Sequence, residues 1–347
     1  MNRPLLIARR LLLASVCLSA VAAAAADLET TASPAAHSAA AVSPDAERNA
    51  AEAGDAAAQY ALGVRYAQGE GVAKDDALAA RWFGAAAAQG HAQAAYNLGV
   101  LLVNGRGAAR DYAAARAQFE RAAGSVPSAA YNLGVLYDQG LGVAPDAAQA
   151  LAWYRKAADA GHVGARYTLG QMYYEGIGVE PSDAQALHWF TLAAGQGHRE
   201  AQYNLGVMAY VGVGMAADLK QAADWYTKAA EQGDPLAAFN LGRMYHQGEG
   251  VPRDDAQAVR WYRQAAATGD AFALNNLGFM AFNGLGMPAD PARAYALFTL
   301  AAARNNGNAG KALELLRPKL GNEEIARGDK LAAEWDAALK ARRTPSL

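Results

Sequence analysis

The chain has 347 residues with 31 basic and 33 acidic side chains, a net charge of −2. It shows no basic excess of the kind that nucleic acid binding requires. Its one cysteine, Cys17, allows neither an internal disulfide nor a thiolate metal site.

Arg3, Arg9 and Arg10 open the chain, an apolar run from Leu11 to Ala20 follows, and Ala24-Ala25-Ala26 supplies small residues ahead of Asp27. This is the layout of a secretory signal peptide over residues 1–26, cleaved after Ala26, and it predicts a periplasmic or secreted mature protein. The run is too short to span a bilayer and no second one follows, so no transmembrane span is expected after cleavage. Val16 is bulkier than lipoprotein signals usually allow before the lipidated residue, which argues against a lipid on Cys17. Cleavage removes three of the 31 basic residues and leaves 28 against 33 acidic, a charge of −5. Residues 27–43 are rich in Ala, Ser, Thr and Pro without a helical period, and read as a disordered linker. Residues 44–53, PDAERNAAEA, read as the tail of a second helix of a pair, an N-terminal capping half-repeat.

Over residues 54–305 a Leu-Gly pair recurs seven times, at Leu62, Leu98, Leu133, Leu169, Leu205, Leu241 and Leu277. The step is 36 residues, shortened once to 35 where Gly124-Ser125-Val126-Pro127 replaces the usual turn; a local kink is expected there. Self-similarity at this period predicts an all-α solenoid of helix pairs, each burying its apolar face against its neighbours. With Leu as position 0, Ala at −4 and Leu, Met or Tyr at +3 and +4 complete one face of helix A. Glycine at +1 costs ~1 kcal/mol in a helix interior. Seven of them approach the net stability of a whole domain, so close approach of a second helix must offset them. Gly-x-Gly at +7 and +9 reads as the turn that ends helix A, since a phosphate loop needs a preceding strand. Asp at +13 (Ser182 in the fourth unit) starts helix B as its N-cap. Helix B carries Ala at +17, an aromatic at +21 and Ala at +24 and +25; Trp at +20 in five units reads as core. After Asn306 the phase is lost, and residues 306–347 read as a C-terminal helical cap and tail, with helices over 309–316 and 323–340.

The pattern Ala-x-x-Tyr-Asn-Leu-Gly, Gly-x-Gly-Val, Asp, Trp-Tyr-x-x-Ala-Ala resembles the Sel1-like repeat (SLR) family, best in AAFNLGRMYHQGEGVPRDDAQAVRWYRQAAATG over Ala237 to Gly269. The resemblance implies a right-handed α-solenoid related to tetratricopeptide repeats, normally a non-enzymatic adaptor that binds a protein or peptide on the concave helix A surface. A cysteine-rich branch of that family is linked to β-lactam binding or hydrolysis, but this chain lacks the repeat cysteines. A β-lactamase-like hydrolase and a peptidoglycan-binding module stand as the alternatives.

No cofactor, metal or catalytic constellation is indicated. His91, His162 and His198 take the turn position that Asp55, Asp234 and Asp270 hold elsewhere, and read as helix-start residues. Candidate partner-binding residues come from helix A positions turned away from the core stripe, −5, −1, +2 and +6, with +5 alongside. Asn at −1 (Asn204, Asn240 and Asn276 among others) offers donor and acceptor to a peptide backbone. The alternative is that it bonds neighbouring helices. At +5 the later units carry Tyr174, Tyr210, His246 and Phe282, joined at +2 by Arg243 and Phe279. Aromatics and Arg dominate binding hot spots, so these nine residues form the candidate patch.

Overall fold

The computed structural model describes residues 44–347. The expected signal and linker lie outside the described residues. Seventeen α-helices and no strand occur among the described residues, and the fold is an all-α solenoid. The helices are α1 (Pro44–Glu52), α2 (Ala56–Gln68), α3 (Asp76–Ala88), α4 (Ala92–Asn104), α5 (Tyr112–Ala122), α6 (Pro127–Gln139), α7 (Ala147–Asp159), α8 (Val163–Glu175) and α9 (Asp183–Gly195). They continue with α10 (Arg199–Val211), α11 (Leu219–Glu231), α12 (Pro235–Gln247), α13 (Asp255–Ala266), α14 (Ala271–Asn283), α15 (Pro291–Ala302), α16 (Gly307–Leu316) and α17 (Asn322–Lys340). Even-numbered helices from α2 to α14 are the A helices and odd-numbered ones from α3 to α15 the B helices. Two compact units divide the described chain after Leu192, within α9.

In the unit ending at Leu192, α1 lies against α2, where Glu47 takes a two-pronged hydrogen bond from Arg65 (2.8 and 3.0 Å). Three complete pairs and the start of a fourth follow, and Phe83, Phe119, Tyr154 and Phe190 at +21 are fully buried. Each ring sits over the +1 glycine of its own repeat. A Cβ on Gly99, Gly134 or Gly170 would come within 2.5 Å of the ring of Phe119, Tyr154 or Phe190. The expected close approach is therefore that of a side chain: glycine leaves the slot that the +21 ring fills.

The unit from Ala193 repeats this scheme at Gly206 against Tyr226, Gly242 against Tyr262 and Gly278 against Phe298. Beyond α15, α17 packs on α15 with Trp335 buried, and Asp336 pairs with Arg304 at 2.9 Å and with Lys340 at 2.6 Å.

The turns follow from residue chemistry. Each +7 glycine ends helix A with left-handed φ between 65° and 82°. The +9 glycines have positive φ as well, and most have a second role that the sequence did not reveal. The α-carbon of Gly107 or Gly142 lies on the first residues of the preceding repeat's helix B, α3 or α5. Gly178 does the same on α7, where a Cβ would meet the Ala147 carbonyl at 2.7 Å. Asp75, Asp111, Asp146, Asp218, Asp254 and Asp290 each accept a backbone N–H at the start of helix B, satisfying donors that a helix leaves orphaned. At the shortened step, α5 stops after 11 residues and Val126 precedes α6 without a side-chain cap. Gly124 there does not take the left-handed φ that Gly90 and Gly161 take in the corresponding turns.

His91 and His198 cap α4 and α10 by accepting the N–H of Ala94 and Ala201 on Nδ1, at 3.2 and 3.3 Å. His162 caps α8 in the same way at 3.0 Å. Only the unprotonated Nδ1 accepts, so the neutral ring is the capping form. His91 also stacks on Tyr60 with centroids 4.5 Å apart. Burial holds the pKa of His91 below the ordinary histidine value, and burial does the same at His198 against the opposing pull of Glu200. As pH falls through about 6.5 the unfolded chain takes up protons before the folded one, so stability declines from there and levels off below the folded value. His91→Asp, the residue type that repeats one, six and seven use, is expected to flatten the fall in melting temperature between pH 7 and pH 5. A slope equal to wild type would refute the capping account.

Candidate functional site

The nine candidate residues divide between the two units. Tyr174 belongs to the unit ending at Leu192 and is buried on α8, without a surface to offer. The other eight lie on α10, α12 and α14 of the second unit.

The −1 asparagines are not turned away from the core as the helical spacing suggests. Asn97 is 0% and Asn204 2% exposed, and Asn132 is buried as well. Helix A of an inner repeat has neighbours on both sides, its own helix B and the adjacent repeats, so this position faces protein. Asn240 and Asn276 are half-buried and spend their amides on tyrosine hydroxyls, Asn240 on Tyr203 and Asn276 on Tyr262. Burial, the larger effect, still pushes both phenols up to about 12. These amides tie neighbouring helices together, the second of the two sequence readings. Two of the +6 amides turn back on their own helices, Asn104 onto the Val100 carbonyl and Asn283 onto the Phe279 carbonyl.

Four of the +5 and +2 residues do meet, in two pairs. In two successive repeats the +5 side chain contacts the +2 side chain of the repeat that follows. The Arg243 guanidinium lies over the Tyr210 ring, 4.9 Å from its centroid. His246 meets Phe279 edge-on at 6.2 Å. Because Arg243 and His246 sit three apart on α12, and Phe279 and Phe282 three apart on α14, the five side chains form one continuous strip across three A helices. Phe279 and Phe282 stand at its open end, 48% and 42% exposed.

Two carboxylates border the strip. Glu249, in the loop after α12, accepts from the Tyr210 hydroxyl at 2.8 Å. Asp255, at the start of α13, meets His246 Nδ1 at 2.6 Å and accepts from Arg253 at 2.9 Å. Burial works to raise the Asp255 pKa, but these two partners hold it below the usual carboxylate range. Both carboxylates are thus engaged by side chains other than Arg243, whose buried Nε has no hydrogen-bond partner.

The +20 tryptophans depart from expectation too. Trp189 and Trp261 are buried, whereas Trp82, Trp153 and Trp225 are half-exposed and shielded by a basic side chain, as where Lys228 lies 4.0 Å from the Trp225 ring centroid. Position +20 sits at the edge of the helix B face, where one side of the indole stays open. Among the described residues no group of three or more His, Asp or Glu side chains is arranged to hold a metal, and no helix is long and apolar enough to cross a membrane.

A family model for the Sel1 repeat matches seven consecutive segments, residues 56–91, 92–124, 127–162, 163–198, 199–234, 235–270 and 271–306. The chain is similar to the crystal structure of a Sel1 repeat protein from Oxalobacter formigenes, with 37% identity, a TM-score of 0.62, and coverage of 78% of this chain and 79% of that one. It is also similar to c5321, described as a protective antigen present in uropathogenic Escherichia coli strains and displaying an SLR fold, with 27% identity, a TM-score of 0.51, and coverage of 86% and 88%. No curated protein gives a significant match.

Proposed function

Because the chain belongs to the Sel1 repeat family, whose members are typically protein-interaction scaffolds, we propose that it is a non-enzymatic adaptor that holds a protein or peptide partner on the A-helix strip of its second unit. The observation that carries this reading is the continuity of Tyr210, Arg243, His246, Phe279 and Phe282 across α10, α12 and α14, ending in two exposed phenylalanines. Most large rings of the repeats, such as those at +21, are buried in the core. Here rings are left outside at the cost of exposed apolar area, which a partner's burial recovers at about 25 cal/mol per Å².

The signal-like start of the chain supports an exported, periplasmic setting for this binding. Cell fractionation with N-terminal sequencing tests it: a cytoplasmic chain that keeps Met1 would overturn it. For the surface, the double variant Phe279→Ser, Phe282→Ser is expected to lose the partners that the wild-type protein captures from its own extract, with unchanged circular dichroism. Because both rings are exposed, the substitution leaves the core intact. An identical set of captured partners would remove the strip from consideration.

A further inference from the structure

Arg243 differs from those arginines of its unit whose charge a carboxylate meets. Arg253 pairs with Asp255 and Arg304 with Asp336, both at 2.9 Å, and Arg327 pairs with Asp290. Arg243 forms no ion pair among the described residues. Its Nε is buried without a hydrogen-bond partner, and its guanidinium lies over the Tyr210 ring. Its charge is felt instead by phenols, those of Tyr210, Tyr226 and Tyr262. An orphaned donor on a charged group is costly to keep. A guanidinium set over a ring and partly stripped of water is also preorganised for a two-pronged bond from its terminal nitrogens to a carboxylate. The carboxylates that border the strip do not fill this role, because Tyr210 holds Glu249 and His246 with Arg253 holds Asp255.

We propose that the strip recognises an extended partner segment through an aspartate or glutamate side chain that binds Arg243. A large apolar side chain of the same segment rests on Phe279 and Phe282. Neighbouring helices lie about 8–10 Å apart and an extended residue covers about 3.3 Å. The acidic and apolar residues are therefore about three positions apart. The strip runs past Arg243 on both sides, to Tyr210 on α10 and to Phe279 on α14, so a segment can continue in both directions and the carboxylate belongs to a side chain rather than to a chain end. This inference rests on the docking reading above and specifies the partner's chemistry.

The test is selection from a random peptide library displayed within a phage coat protein, where no insert has a free C-terminus. The full-length protein serves as bait, beside Arg243→Gln and the double variant Phe279→Asp, Phe282→Asp. Wild-type protein is expected to enrich inserts with Asp or Glu about three residues from Phe, Leu or Trp. Synthetic capped peptides from that pool are expected to lose at least about tenfold in affinity on Glu-to-Gln exchange. Arg243→Gln is expected to abolish that difference while its melting temperature stays near wild type. Enrichment of apolar inserts with no acidic preference, lost in the phenylalanine double variant, would overturn the carboxylate inference and leave the docking surface standing. Equal selection by wild type and the phenylalanine double variant would overturn both.

Discussion

Gly206→Leu is expected to destabilise the protein by ~3 kcal/mol or more, although leucine is the better helix former by most of ~1 kcal/mol. The sign is decided by what stands opposite. A Cβ at Gly206 would lie 2.5 Å from Cδ1 and 2.6 Å from Cε1 of Tyr226, well inside van der Waals contact. That ring is fully buried among Ala222, Ala229 and Ala230, so it has no free volume to move into. Gly206→Ala should already cost ~1–3 kcal/mol. The matched control is Gly310→Ala in α16, where an added Cβ meets nothing within 4 Å. There the helix propensity acts alone, and the substitution should stabilise by up to ~1 kcal/mol. Urea denaturation of the three variants checks the prediction. If Gly206→Ala and Gly310→Ala shift the midpoint in the same direction, the slot between Gly206 and Tyr226 does not hold the repeat together. Leu205→Ala, on the same turn, is expected to cost ~2–5 kcal/mol through the cavity it leaves.

The fold was legible because its determinants are local and recur in phase. Leu205, Gly206, Asp218 and Tyr226 each act within one repeat, so a spacing of 36 displays them seven times over. What depends on the neighbouring repeat was not legible. Asn204 at −1 reads as outward-facing from the geometry of a single helix, yet it is buried because a second repeat lies against it. The contact of Tyr210 with Arg243, 33 positions on, follows from the offset between stacked repeats, which a one-dimensional pattern does not contain. The choice of residues for the site was visible as a break in the repeat, where Tyr, His and Phe replace Ala67, Val103 and Asp138 at +5. Which of them remain exposed was not, and Tyr174 shows it: a residue of the same type at the same position, buried. The second role of the +9 glycines was hidden for the same reason, since a positive φ alone explains a glycine in a turn.

That second role gives the other large effect, at Gly250. Gly250→Ala is expected to cost ~2–5 kcal/mol, from ~1–2 kcal/mol of left-handed backbone strain and ~1–3 kcal/mol of overpacking. Its φ is 69°, and a Cβ there would run into the carbonyl of Leu219, the first residue of the preceding repeat's helix B. Gly248 separates the two contributions. It lies two residues earlier in the same loop with φ 73°, but its nearest neighbour to an added Cβ is Arg253 Cβ at 3.4 Å, an ordinary contact. Gly248→Ala should therefore show the strain alone, and Gly250→Ala should exceed it by ~1–3 kcal/mol in chemical denaturation. Equal losses would mean that the loop does not seat on α11. The contact joins two repeats, so its loss should also broaden the unfolding transition, since solenoid cooperativity lives in such interfaces. It reaches the site as well: Glu249, which receives the Tyr210 hydroxyl, is the residue just before Gly250. A loop lifted off Leu219 carries Glu249 with it and frees the ring on which Arg243 rests, so Gly250→Ala is expected to weaken partner binding more than its distance from the exposed phenylalanines suggests.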